Sequence, residues 1–86
     1  MKITRKAAAD KIGAYLRHDI PLEQLVAWAE RAMLDGEFSK TDAAALTEVV
    51  SRIGVADVRA FGLTWDDCES LLRRLGFAAR VEVVAA

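Results

Sequence analysis

Few residues in this 86-residue chain carry reactive chemistry: one cysteine, one histidine, and the acids that surround the cysteine in the run "TWDDCES". Nucleophilic catalysis needs a nucleophile, a base within hydrogen-bond reach and a third group that orients the base. Cys68 and His18 are the only pair on offer, and the hydrophobic spacing puts them on different helices. Cys68 falls at an inward position, where an unpaired cysteine behaves as a small apolar side chain. His18 stands next to Asp19, which points to a surface cap or ion pair. One Cys and one His cannot complete a tetrahedral metal site or a disulfide. Asp66, Asp67 and Glu69 have the chemistry for acid–base work or for magnesium. They also fall in the first turn of a helix, where the dipole alone favours acids. The glycines of "GVADVRAFG" lie eight residues apart and follow a helix, which is the wrong setting for a phosphate loop. No catalytic residue, metal ligand or cofactor is assigned, and the chain is not expected to be an enzyme.

A second stretch, "LDGEFSKTD" at 34–42, resembles the second half of a calcium-binding EF-hand loop. With Gly36 at the sixth loop position, Asp35 becomes fifth, Phe38 eighth and Asp42 twelfth. The first and third positions are then Arg31 and Met33, a cation and a thioether where a hard cation needs oxygens. Calcium is not expected. A double cap explains the stretch instead: Gly36 in a left-handed conformation ends one helix, Phe38 folds back on it, and Ser39 or Thr41 opens the next. With Ser39 as the cap, Asp42 takes the third helical position, as in a capping box.

The elements that must position these residues follow from period and punctuation. A first helix begins after Thr4 and runs to Arg17, with Ala8, Ile12, Tyr15 and Leu16 on one stripe. Pro21 restarts the chain, and the second helix carries Leu22, Leu25, Val26, Ala29, Ala32 and Met33 at period 3.6, the strongest periodic signal present. Trp28 lies beside that stripe, at the core edge or facing a partner. A third helix over 41–53 aligns Leu46, Val49, Val50 and Ile53 and is capped by Gly54. "VADVRAF" is a single helical turn ended by Gly62. The fourth helix is capped by Thr64, with Asp67 completing a box; Trp65, Cys68, Leu71, Leu72 and Leu75 form its inner face and Gly76 ends it. Residues 79–84 alternate Val81 and Val83 with Arg80 and Glu82, the period of a strand. That strand requires a partner for its main chain: "MKIT", a second copy or another protein. The expected core comprises Ile12, Leu16, Leu25, Val26, Ala29, Met33, Phe38, Leu46, Val49, Val50, Ile53, Leu71, Leu72 and Leu75.

The fold class expected is all-α, a single domain over 1–86 of about four helices plus one helical turn, with a short C-terminal β-strand. With 53% hydrophobic and 29% charged residues the composition is that of a globular domain, and it suggests a bacterial protein. No apolar run at the N-terminus has the length of a signal peptide and no stretch reaches a membrane span, so a cytoplasmic location without membrane contact is expected. Net charge is −1 but unevenly placed: +4 over residues 1–18, −7 over 19–72 and +2 over 73–86. Such a dipolar surface orients encounters with a charged partner.

These features together point to a small non-catalytic interaction module that docks on another protein, of the general type of antitoxins and immunity proteins. The comparison is one of type, because the Tyr-Tyr-Pro signature of the nuclease-immunity helical proteins is absent. The expected contact residues are Trp28, Trp65, Asp66, Asp67, Glu69, Val81 and Val83, with a homodimer through the C-terminal strand as one outcome. The alternative is a DNA-binding regulator using a helix-turn-helix-like C-terminal half and the basic N-terminal segment. It is disfavoured because Asp66, Asp67 and Glu69 would face phosphates from the first turn of the recognition helix.

Overall fold

The computed structural model describes residues 1–59 and 61–86. Strand β1 (Lys2–Ile3) is followed by α1 (Arg5–Leu16), α2 (Leu22–Asp35), β2 (Glu37–Phe38), a 3-10 turn (Lys40–Asp42), α3 (Ala43–Gly54) and α4 (Trp65–Arg74). The chain is thus mostly helical, as the periodicity implies, but the strands lie elsewhere than expected. No strand forms over 79–84; instead β1 pairs in parallel with β2, Lys2 opposite Glu37 and Ile3 opposite Phe38. The Glu37 N–H donates to the Met1 carbonyl at 2.7 Å and the Ser39 N–H to the Ile3 carbonyl at 3.0 Å. Burial decides between the two pairings. Ile3 is a core residue, so hiding its side chain holds "MKIT" against the connection between α2 and α3, whereas Val81 and Val83 bury little in a single chain.

Helix α1 opens as expected, with the Thr4 hydroxyl accepting from the Ala7 N–H at 3.1 Å. It closes in a Schellman arrangement: the His18 N–H donates to the Tyr15 carbonyl at 3.1 Å and the Asp19 N–H to that of Ala14 at 2.8 Å. His18 holds the left-handed position of that motif, at φ 65°.

The buried stripe of α2 is Leu25, Val26, Ala29 and Ala32. Met33, expected in the core, is 48% exposed and accepts a hydrogen bond from the Ser51 hydroxyl at its sulfur. The stripe runs 25, 29, 32 and on toward Gly36, which leaves Met33 on its flank at the helix end, where little covers it. Gly36 is not left-handed: φ is −74° and ψ 142°. A glycine is required for a different reason, since a Cβ there would overlap the Ala32 carbonyl oxygen and lie 2.9 Å from Ile3 Cγ1. Ser39 precedes the 3-10 turn but makes no side-chain cap. Asp42 stands at the N-cap of α3 with no capping bond, its carboxylate turned to Arg5 at 3.4 Å. The capping box expected there is therefore replaced by an ion pair to α1.

Helix α3 buries Ala45, Leu46, Val49, Val50 and Ile53, and Gly54 is its last residue, with Val55 as the cap at φ −107°. The helical turn expected over "VADVRAF" includes Ala60, outside the described residues; the others form hydrogen-bonded turns, Val58 to Val55 and Phe61 to Val58, closed by Gly62 at φ 61°. Helix α4 has the full capping box, Thr64 Oγ1 accepting from the Asp67 N–H at 3.1 Å and Asp67 Oδ2 from the Thr64 N–H at 2.9 Å. Its buried residues are Cys68 and Leu72, followed by Leu75 at the cap. Leu16, Phe38, Leu71 and Trp28 are half-buried against the core. No helix among the described residues is long and apolar enough to cross a membrane.

Candidate functional site

The end of α4 determines where the following segment goes. The Gly76 N–H donates to the Arg73 carbonyl at 3.0 Å and the Phe77 N–H to the Leu72 carbonyl at 2.8 Å, with Gly76 at φ 88°. In such a motif the residue after the glycine folds back onto the last turn. Phe77 and Leu72 accordingly line one groove, between α1 and residues 77–82. The groove has a volume of about 580 Å³; Leu16, Trp65, Leu72 and Phe77 supply its apolar surface and Ala79 and Val81 its far wall. Gly76→Ala is expected to cost about 1–2 kcal/mol through the left-handed backbone. A Cβ there would also lie 2.8 Å from Arg5 Nη1, so the guanidinium that donates to the Leu75 carbonyl has to move aside, and thermal melting checks the loss.

Trp65 was expected on the inner face of α4 but is 40% exposed at this groove. It is the first residue of the helix, and side chains lean toward the helix N-terminus, so its ring projects past the end of the core. The charged rim is largely self-neutralised: Lys6 pairs with Asp10 at 2.8 Å and Arg17 with Asp19 at 3.1 Å. Gly13, in the middle of α1, also lines the groove, and a Cβ there would meet only the Arg17 guanidinium, at 3.1 Å. Gly13→Ala is expected to stabilise the protein by about 0.5–1 kcal/mol, because interior helical glycine is unfavourable by that amount relative to alanine. Thermal melting checks this, and the added methyl should narrow the groove.

The other expected contact residues are dispersed. Trp28 packs against the core and is not part of the groove. Asp67 is engaged in its capping box and with Arg52 at 3.4 Å, and its hydrogen bonds with Thr64 hold the carboxyl below the usual aspartate range. That depressed value contributes stability above the ordinary aspartate pKa and loses it as pH falls through the folded-state value. Glu69 faces Arg73 at 4.0 Å, while Asp66 is exposed. The acids of "TWDDCES" therefore form no shared site, and among the described residues no group of three potential ligands is placed to hold a metal ion. Val81 joins Trp65 at the groove, and Val83 lies beyond it at 92% exposure. Phe77, Leu16 and Gly13 are among the groove residues that were not expected contacts; the Gly76–Phe77 pair after a helix is a signal for Phe77.

Cys68 is fully buried, and desolvation pushes its thiol up to about 11. The folded state thus retains a proton that the unfolded chain loses first, so stability contributed by Cys68 is present below the ordinary thiol pKa and declines as pH rises toward 11. Thiol reagents at pH 8 should label Cys68 only as fast as the protein opens, and instantly in denaturant. Rapid labelling of the native protein would contradict its burial.

No protein-family model matches the chain, and comparison with curated proteins and with solved structures gave no match.

Proposed function

We propose that the protein is a non-catalytic docking module, of the general antitoxin or immunity-protein type, that receives an apolar segment of another protein in the groove between α1 and residues 77–82. The observation that carries this is the partly exposed Trp65 at the groove, beside Leu16, Phe77 and Val81. Aromatic anchors in concave apolar sites dominate protein–protein binding energy. A small-molecule site of this size needs a few convergent polar groups. Here Lys6, Asp10 and Arg17 are taken up in ion pairs on the rim, which favours an apolar peptide segment over a polar metabolite.

DNA binding receives less support. The first turn of α4 presents the exposed Asp66 carboxylate and Asp67, which repel phosphate where a recognition helix makes its contacts.

Affinity capture with nuclease-treated extract, run in parallel with wild type and Trp65→Ser, tests the assignment. The expected result is a protein retained by wild type, insensitive to nuclease and lost with the variant. Recovery that vanishes on nuclease treatment and weakens steeply with salt would identify a nucleic-acid binder instead.

A further inference from the structure

We propose that residues 78–84 of two copies pair as antiparallel strands across a two-fold axis at Val81, making the protein a homodimer. In the single chain this segment forms neither helix nor strand, and among the described residues no hydrogen bond joins its main chain to the rest of the molecule. Val81, Val83 and Val84 are 71%, 92% and 76% exposed. A segment rich in exposed, strand-favouring valines with unpaired N–H and C=O groups is a template for another strand. A two-fold contact needs a segment that complements itself.

The sequence of the segment satisfies that condition in one register. With Val81 opposite Val81 of the second copy, Arg80 faces Glu82, Glu82 faces Arg80 and Ala79 faces Val83. Directly opposed side chains share a face, so one face holds Ala79, Val81 and Val83 from both copies and the other holds two Arg–Glu pairs flanked at each end by Ala78 facing Val84. Opposite charges facing across an antiparallel pair stabilise it, and like charges destabilise it. Centring the axis on Glu82 opposes two carboxylates, and centring it on Arg80 opposes two guanidinium groups. Registers with the axis between residues put Val81 against Glu82 or Arg80 and mix the two faces. Ala79 already packs against the core, so the apolar face of the ribbon is the one turned toward the body of each copy. The pairing uses the main chain of 78–84 and not the Trp65 side of the groove, so it and the docking of a foreign segment can fail separately.

Charge reversal tests the register. At low salt, wild type should reach twice the 9.4 kDa chain mass by sedimentation as concentration rises. Arg80→Glu and Glu82→Arg alone each replace both attractive pairs by repulsive ones and should raise the dimer Kd by about tenfold or more. The double variant R80E/E82R restores both pairs in inverted form and should restore the dimer. In the full chain, Val81→Cys should oxidise to a covalent dimer, since facing positions lie within disulfide reach. Val83→Cys should not, because the two copies of residue 83 are separated by four residues along the ribbon, about 13 Å. Buried Cys68 stays out of the reaction. A monomer mass at concentrations up to about 1 mM, a dimer indifferent to the single reversals, or equal cross-linking through position 83 would each overturn the proposal.

Discussion

Leu25→Ala is expected to lower the stability of the fold by about 2–5 kcal/mol. Leu25 is fully buried, at the centre of the α2 stripe, and joins Ile3, Leu46 and Ile53 in one cluster. Trimming its isobutyl group to a methyl loses the transfer free energy of three carbons and leaves a cavity that rigid neighbours cannot fill. A domain of this length has roughly 5–15 kcal/mol in total, so the variant should unfold at markedly lower urea with an unchanged m-value. A change below about 0.5 kcal/mol is the size of a surface substitution and would mean that the stripe faces solvent.

Gly36→Ala should be nearly as damaging, by about 1–3 kcal/mol or more, for steric reasons. The added Cβ would overlap the Ala32 carbonyl oxygen, which accepts the Gly36 N–H, and press on Ile3 Cγ1 at 2.9 Å. Backbone cannot yield there as a flexible side chain does, so the small sheet has to move. Hydrogen exchange at Glu37 and Ser39, whose N–H groups bond to β1, should therefore quicken more than exchange in α4. Ile3→Ala in the Gly36→Ala background supplies a control: if the clash is with Ile3, the two losses should fall short of additive. Calcium should leave the thermal midpoint of the wild type unchanged, since Asp42 is held by Arg5.

The helices were legible because their signals are local. Period 3.6 in α2 and α3 and the Thr64–Asp67 box depend on residues within one or two turns, and the structure places them as the sequence implies. The strands were not legible, because two-residue pairing carries no period of its own. What anchors β1 is the burial of Ile3 among side chains far along the chain, a tertiary effect that overrides the stronger strand pattern at 79–84. Gly36 shows the same limit: a left-handed backbone was expected to require glycine there, whereas the close approach of the Ala32 carbonyl oxygen and of Ile3 is what requires it. Trp65 and Val81 were singled out from type and pattern, and both line one groove. Trp28 and the acids of α4 were drawn in by type alone: Trp28 packs against the core, Asp67 and Glu69 pair with Arg52 and Arg73, and Asp66 is exposed away from the groove. Phe77 was missed because its placement depends on the turn geometry of Gly76, not on any periodic face.

The most direct test of the docking assignment is a titration of the captured protein partner against wild type, Trp65→Ser and Glu30→Gln, an exposed position on α2 outside the groove. If the groove is the contact surface, Trp65→Ser should raise Kd by about thirtyfold, the effect of losing an aromatic anchor worth 2 kcal/mol, while Glu30→Gln leaves it unchanged. Equal affinity for wild type and Trp65→Ser would place the contact elsewhere and contradict the account.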